Sequence, residues 1–153
     1  MLSAFFIIQK TKILKGEGNF LFLKNFCGDM KLFGTSKVNE KGNLSIGGVD
    51  TVELVKEFKT PLYVMDQELI ETTIDKMKAA FKSTRFNTRI AYAGKAFLST
   101  GMIKLVESKG LDLDVVSGGE LYTAHKAGFP MNKVHLHGNN KLVNEIEMAI
   151  EFG

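Results

Sequence analysis

The chain of 153 residues is 44% hydrophobic and 24% charged, which excludes intrinsic disorder and supplies enough apolar surface for one core of ordinary size. Its formal charge of +3 is confined to the first 31 residues, which carry five Lys against Glu17 and Asp29, whereas residues 32–153 balance at fifteen of each sign, so no nucleic-acid partner is expected. Cys27 is the only cysteine, which excludes an internal disulfide and fits a reducing, cytoplasmic location.

Residues 1–31 read as an atypical N-terminal extension. Apolar bursts at residues 5–8 and 20–23 are separated by Lys10, Lys12, Lys15 and the Gly16-Glu17-Gly18 stretch. Neither burst is long enough to span a membrane, and neither has the basic start, apolar run and cleavage site of a secretory signal. Met30 immediately precedes the point where the pattern becomes orderly, so translation starting there is one expectation; an intact mass retaining residue 1 in natively expressed protein would refute it.

From Leu32 the chain runs through the polar turn Asn39-Glu40-Lys41-Gly42-Asn43 to Leu44-Ser45-Ile46 and Gly47-Gly48, which predicts a short strand or hairpin. Thr51 is placed to cap a short helix bearing Val52, Val55 and Phe58, and Pro61 then opens a strand over residues 62–65. Asp66 is expected to cap the next helix, in which Ile70, Ile74, Met77 and Phe81 form one stripe at spacings of four, three and four, expected to be buried. The short strand or hairpin reads as a peripheral element.

After Arg85 three β-α units follow without interruption: strands at residues 89–93, 112–116 and 133–137, each followed by a helix, at about residues 100–109, 118–127 and 142–152. Gly110 and Gly128 stand where helix C-terminal caps belong. The last helix is expected to bury Leu142, Ile146, Ala149 and Ile150. Repeated β-α units predict parallel strands, in an open doubly wound sheet or part of a (β/α)8 barrel. A complete barrel takes about 250 residues, so the 66 residues from Thr88 onward are expected to be its truncated first part.

Lys95, Ser117 and Gly138 are spaced by 22 and 21 residues, and each follows a predicted strand. One repeat length therefore brings all three to the edge where parallel β/α folds bind ligands. If the extended chain continued past Gly94, Ala91, Ala93 and Lys95 would share one side and leave space beside the amine. Desolvation there would favour a neutral amine able to condense with a carbonyl, although from position alone a solvated lysine is the simpler reading. Ser117-Gly118-Gly119-Glu120 has the form of a capping box, with exposure of helix amides to an anion as the weaker alternative.

His135 and His137 alternate on one strand and raise the idea of a metal pair, but no third ligand is evident; His135 and His125 read as packed or hydrogen-bonded, and His137 as the one placed to touch a ligand. Asn139 and Asn140 add polar groups to the same loop. Asp112 and Asp114 are expected to solvate the bottom of the sheet, and position assigns neither as an acid or base.

Taken together, Tyr92-Ala93-Gly94-Lys95-Ala96, Leu113-Asp114-Val115-Val116-Ser117-Gly118-Gly119-Glu120-Leu121 and His137-Gly138-Asn139-Asn140-Lys141 resemble the bacterial diaminopimelate decarboxylases. Gly34-Thr35-Ser36, Gly47-Gly48-Val49-Asp50 and Thr60-Pro61-Leu62-Tyr63-Val64 extend the resemblance back to about Leu32. It implies a fold-type III enzyme built from a (β/α)8 barrel and a β-domain, the latter taking in residues 32–65, with residues 66–153 as the first part of the barrel. It also implies pyridoxal 5'-phosphate as cofactor, Lys95 as the lysine that carries it, and Asp114, Ser117, His137 and Asn139 near the cofactor. The implied reaction is decarboxylation of the amino acid meso-diaminopimelate to L-lysine in a homodimer.

The family's ring-stacking histidine, glycine-rich phosphate loop, acidic partner of the pyridine nitrogen and second-domain cysteine and tyrosine motifs have no counterpart in this sequence. The expectation is therefore an N-terminal fragment inactive by itself. Related ornithine or arginine decarboxylases, or a non-catalytic remnant that binds a full-length relative, are the alternatives.

Overall fold

The computed structural model describes residues 4–7 and 32–153, and the chain divides into two compact units, residues 1–73 and 74–153. The expectations for residues 8–31, including the second apolar burst, Cys27 and Met30, lie outside the described residues. Among the described residues no helix is long and apolar enough to cross a membrane.

The first unit contains strands β1 (Ala4–Ile7), β2 (Lys37–Val38), β3 (Leu44–Ile46), β4 (Val49–Asp50) and β5 (Tyr63–Asp66), with helix α1 (Thr51–Phe58) and the start of α2 (Gln67–Ala80). β2, β3 and β4 form an antiparallel sheet, and β1 pairs antiparallel with β5, Ala4 opposite Asp66 and Ile7 opposite Tyr63. The tight turn between β2 and β3 is held by Asn39, whose Oδ1 accepts from the Lys41 and Asn43 amides, while Gly42 takes φ 75°. Asp50, not Thr51, caps α1: its Oδ1 accepts from the Val52 amide, and Thr51 is the first helical residue, its hydroxyl donating to Leu44 O. The second Asp50 oxygen accepts from the side-chain amides of Asn39 and Asn43. With the Asn43 bond foremost, these contacts hold the Asp50 carboxyl at about 2. Asp66 does cap α2, accepting from the Leu69 amide at 3.0 Å, and it also accepts from the Thr35 hydroxyl.

The second unit contains the rest of α2, then β6 (Ala91–Ala93), α3 (Thr100–Ser108), β7 (Asp112–Val115), α4 (Gly118–Lys126), β8 (Val134–Leu136) and α5 (Val143–Phe152). The three strands are parallel and adjacent in chain order, with Ala93 opposite Asp114 and Asp114 opposite His135. Leu113 and Val115 on one face of β7 are fully buried, as are Ile103 and Val106 of α3 and Leu121 and Ala124 of α4, all of them 0–2% exposed. Complete burial of such side chains contributes about 1.5–3 kcal/mol each, which makes this layer the principal source of stability in the unit.

Two successive units repeat the same terminal chemistry. Ser99 and Ser117 cap α3 and α4 by accepting from the Met102 and Glu120 amides. Gly110 and Gly128, at φ 67° and 72°, close the same helices, and Leu111 and Phe129 donate back to Val106 O and Ala124 O, both at 3.1 Å. Positive φ without a Cβ penalty is why glycine stands at both positions.

The elements from residue 32 onward follow the expected order, with further differences. The strands are shorter, and a one-turn 3-10 helix, Met131–Lys133, precedes β8. In α2 only Ile74 of the expected stripe is buried; Ile70 is half-buried, while Met77 and Phe81 are 44% and 58% exposed because no described residue covers them. In α5 the expected face is turned outward: Leu142, Ile146 and Ile150 are exposed, and Ala149 is half-buried. The reason lies on α4. The His125 ring stacks on Phe152 with centroids 3.8 Å apart, and Glu145 accepts from the Gly118 amide, so the helix face bearing Glu145, Met148, Ala149 and Phe152 turns inward.

Candidate functional site

The parallel sheet brings the segments carrying Lys95, Asp114, Ser117, His137 and Asn139 to one edge, at the C-terminal ends of β6, β7 and β8. Beyond β6 the chain does not stay extended: Gly94–Ala96 forms a 3-10 turn, so strand alternation stops at Ala93 and does not govern the direction of Lys95. Gly94 is buried against β7, where a Cβ would lie 3.1 Å from Asp114 O. Its lack of a side chain lets this turn lie close on the neighbouring strand. The Tyr92 hydroxyl donates to Phe97 O at 2.7 Å and closes the loop from the other side; burial pushes that phenol up. Lys95 itself is exposed and makes no hydrogen bond or ion pair among the described residues, so the desolvation expected around its amine is not supplied by them.

Asp114 is half-buried, and its Oδ2 lies 3.7 Å from Nδ1 of the exposed His137, too far for a hydrogen bond. Backbone bonds continue past the strand ends here, because the His137 amide donates to Val115 O at 2.8 Å. Gly138 then adopts φ 127° beside Val116 O, and Lys141 donates to Gly138 O. Asn139 is exposed in the same loop.

At Ser117 the hydroxyl accepts the Glu120 amide as a capping box requires, but the Glu120 carboxylate reaches the amide of Val116 rather than that of Ser117. The weaker alternative, an anion on the first α4 amides, meets an occupant: Gly118 N–H donates to Glu145 Oε1 at 2.6 Å. The other Glu145 oxygen accepts from the Leu142 amide at 3.0 Å. Those two bonds, Leu142 first, and the nearby Lys141 charge hold the Glu145 carboxyl below its ordinary value against a partial opposing effect of desolvation. Sequence reading missed Glu145, which stands at the third helical position of α5 but has its second partner 27 residues away.

The opposite end of the sheet is built differently. Asp112 was expected to be solvated, yet it is 4% exposed and accepts from Arg89 Nε at 2.7 Å and from His135 Nε2 at 3.0 Å. Burial alone would raise its carboxyl, but the His135 and Arg89 bonds and the guanidinium charge outweigh burial and hold it lower. A cavity of about 580 Å³ opens beside it, lined by Lys78, Lys82, Arg89, Asp112 and Lys133, away from Lys95. Among the described residues no group of three or more His, Cys, Asp or Glu is placed to hold a metal ion.

The second unit is a parallel β/α unit with an amine unpaired among the described residues, an imidazole and a carboxylate at the C-terminal edge of its strands, the edge where folds of this class bind ligands. Residues 67–153 match the family model of the pyridoxal-dependent decarboxylases, specifically its pyridoxal binding domain, and the chain belongs to that family. Over 122 residues it is 56% identical to the diaminopimelate decarboxylase of Bacillus methanolicus and 53% identical to that of Bacillus subtilis (strain 168), in each case across 80% of this chain and 28% of the relative. The crystal structure of diaminopimelate decarboxylase from M. jannaschii in co-complex with L-lysine superposes with a TM-score of 0.71 at 38% identity, over 77% of this chain and 28% of that one. The chain thus spans somewhat more than a quarter of the length of these relatives.

Proposed function

We propose that Lys95 is the lysine that carries pyridoxal 5'-phosphate, that Asp114, Ser117, His137 and Asn139 line the cofactor end of the site, and that the whole protein decarboxylates meso-diaminopimelate to L-lysine. The observation that carries this reading is the Lys95 amine, unpaired among the described residues, on a turn packed against β7, at the same strand edge as Asp114 and His137. The residues fit the cofactor: an accessible primary amine suits its aldehyde, and imidazole, hydroxyl and amide groups suit its polar ring substituents. When bound, the cofactor supplies an electron sink for the pair left behind as CO2 departs. Lys95 holds it covalently, Asp114 orients the His137 imidazole toward the same edge, and the Ser117 hydroxyl, already accepting the Glu120 amide, keeps its own proton free to donate. The names of the relatives favour diaminopimelate over other amino acids as substrate.

In the finer architecture we infer, residues 66–153 are the first part of a (β/α)8 barrel, because strands added in chain order are how a barrel grows around its axis. Residues 32–65 then belong to a β-domain, residues 1–31 are an extension, and the working protein is a cytoplasmic homodimer without nucleic-acid or membrane partners. The test is capture of the cofactor: incubate the chain with pyridoxal 5'-phosphate, reduce with borohydride and locate modified lysines by peptide mass spectrometry. Selective labelling of Lys95, abolished in Lys95→Ala, is the expected result; labelling scattered over the lysines would overturn the assignment.

A further inference from the structure

We propose that Glu145 is a positioning residue that clamps the loop after β7 to the loop after β8, and so fixes Ser117 relative to the segment bearing His137 and Asn139. The two carboxylate oxygens are divided between two helix starts: Oε1 takes the Gly118 amide at the first turn of α4, and Oε2 takes the Leu142 amide at the N-cap of α5. Each is an amide that the first turn of a helix leaves without a partner, and a carboxylate is the acceptor that suits both. Leu142 has no side-chain acceptor to serve as an N-cap, so α5 depends on Glu145 where α3 and α4 depend on serines.

Gly118 completes the fit. A Cβ there would lie 3.1 Å from Glu145 Cγ and 3.2 Å from Oε1, so glycine is what lets the carboxylate approach. The strand ends are tied by His137 N–H to Val115 O and the loop after β8 is braced by Lys141 on Gly138 O, while among the described residues Glu145 is a side chain that spans from one loop to the other. A carboxylate of the chain itself stands on the Gly118 amide, so that amide is not open to an anionic group of a ligand.

The functional meaning of the clamp rests on the proposed role of these loops around the cofactor, and two separate measurements keep the ideas apart. Amide hydrogen exchange followed by NMR on the full chain reports the clamp itself. In Glu145→Ala, exchange at both Gly118 and Leu142 should accelerate by about tenfold, as for loss of a charged acceptor, while Leu113 and Val115 on β7 keep their protection. Gly118→Ala approaches the contact from its other side and should release Leu142, 24 residues away. Glu145→Gln, with one carbonyl acceptor, should restore protection at one of the two amides.

Faster exchange at Leu142 alone would reduce Glu145 to an ordinary helix cap and overturn the proposal, as would uniform acceleration that includes β7. The second measurement is the pyridoxal 5'-phosphate concentration that half-saturates labelling of Lys95. It should rise several-fold in Glu145→Ala and stay unchanged in Glu147→Ala, an exposed position on the same helix. Release of both amides with no change in half-saturation would also overturn it. Failure of the unmodified chain to label at Lys95 counts against the proposed function, and the exchange result then decides the clamp.

Discussion

Strand β7 carries two aspartates, two residues apart, and two histidines with the same spacing stand one in β8 and one just past its end, yet the pairs at the two ends of the sheet behave differently. At the N-terminal end Asp112 is buried and locked by His135 at 3.0 Å and Arg89 at 2.7 Å. At the C-terminal end Asp114 is half-buried, and His137 stands 3.7 Å away, mostly exposed, with no arginine paired to the same carboxylate. The first pair has its charges satisfied and its geometry fixed, which is what a structural ion cluster requires. The second leaves acceptor and imidazole capacity unspent at the edge where Lys95 emerges. One motif thus divides between holding the sheet together and facing a ligand, as parallel β/α folds divide their two ends.

The largest effect that separates the ends is expected at Asp112. Asp112→Ala removes the shared acceptor of Arg89 and His135, but both partners are more than half exposed and can turn to water. The loss is therefore about 1–2 kcal/mol, well short of the penalty for a fully buried pair, and urea denaturation of the chain measures it. The pH dependence has a definite sign. Because the folded carboxyl lies below its ordinary value of 3.8, its contribution is fully present above that value and is lost as pH falls through the lower folded value. The acid limb of the stability curve should flatten in Asp112→Asn, and a limb unchanged from the original chain would mean that Asp112 is not held as described.

Next in size is Gly94→Ala, which tests whether the turn bearing Lys95 depends on its approach to β7. The added methyl would stand 3.1 Å from Asp114 O, a backbone atom that can retreat only with its strand. A cost of about 1 kcal/mol is expected from this overpacking, together with reduced capture of the cofactor at Lys95. Unchanged stability and capture would show that the turn has room to spare.

How far this division could be read beforehand depends on the range of the interaction. The β-α repetition, the capping serines and the glycines at 110 and 128 are local signals, set by residues within one helical turn, and the structure contains them. The convergence of the segments carrying Lys95, Ser117 and Gly138 at one edge was legible because a repeat length fixes which end of a parallel strand a loop leaves from. Burial of Asp112 was not legible, since its partners lie 23 residues apart in either direction, at Arg89 and His135, and only strand register brings them together. The expected burial of Leu142, Ile146 and Ile150 on α5 failed for the same reason. Its apolar periodicity was read without the His125–Phe152 stack and the Glu145 bonds that set which face meets α4.

The smallest effect on stability is expected at Asp114, where the comparison becomes sharpest. Asp114→Asn keeps the size of the side chain and gives up only a charge that stands 3.7 Å from a mostly exposed imidazole. An exposed pair of this kind contributes about 0–1 kcal/mol, so the urea midpoint should move little. If Asp114 orients His137 for the cofactor, the rate of Lys95 labelling should nevertheless fall several-fold, and His137→Ala should produce a similar fall with no further loss in the double variant, as expected for two residues acting through one contact. The converse pattern, a large loss of stability with normal labelling, would assign the C-terminal pair the same structural duty as Asp112 and remove the distinction between the two ends of β7.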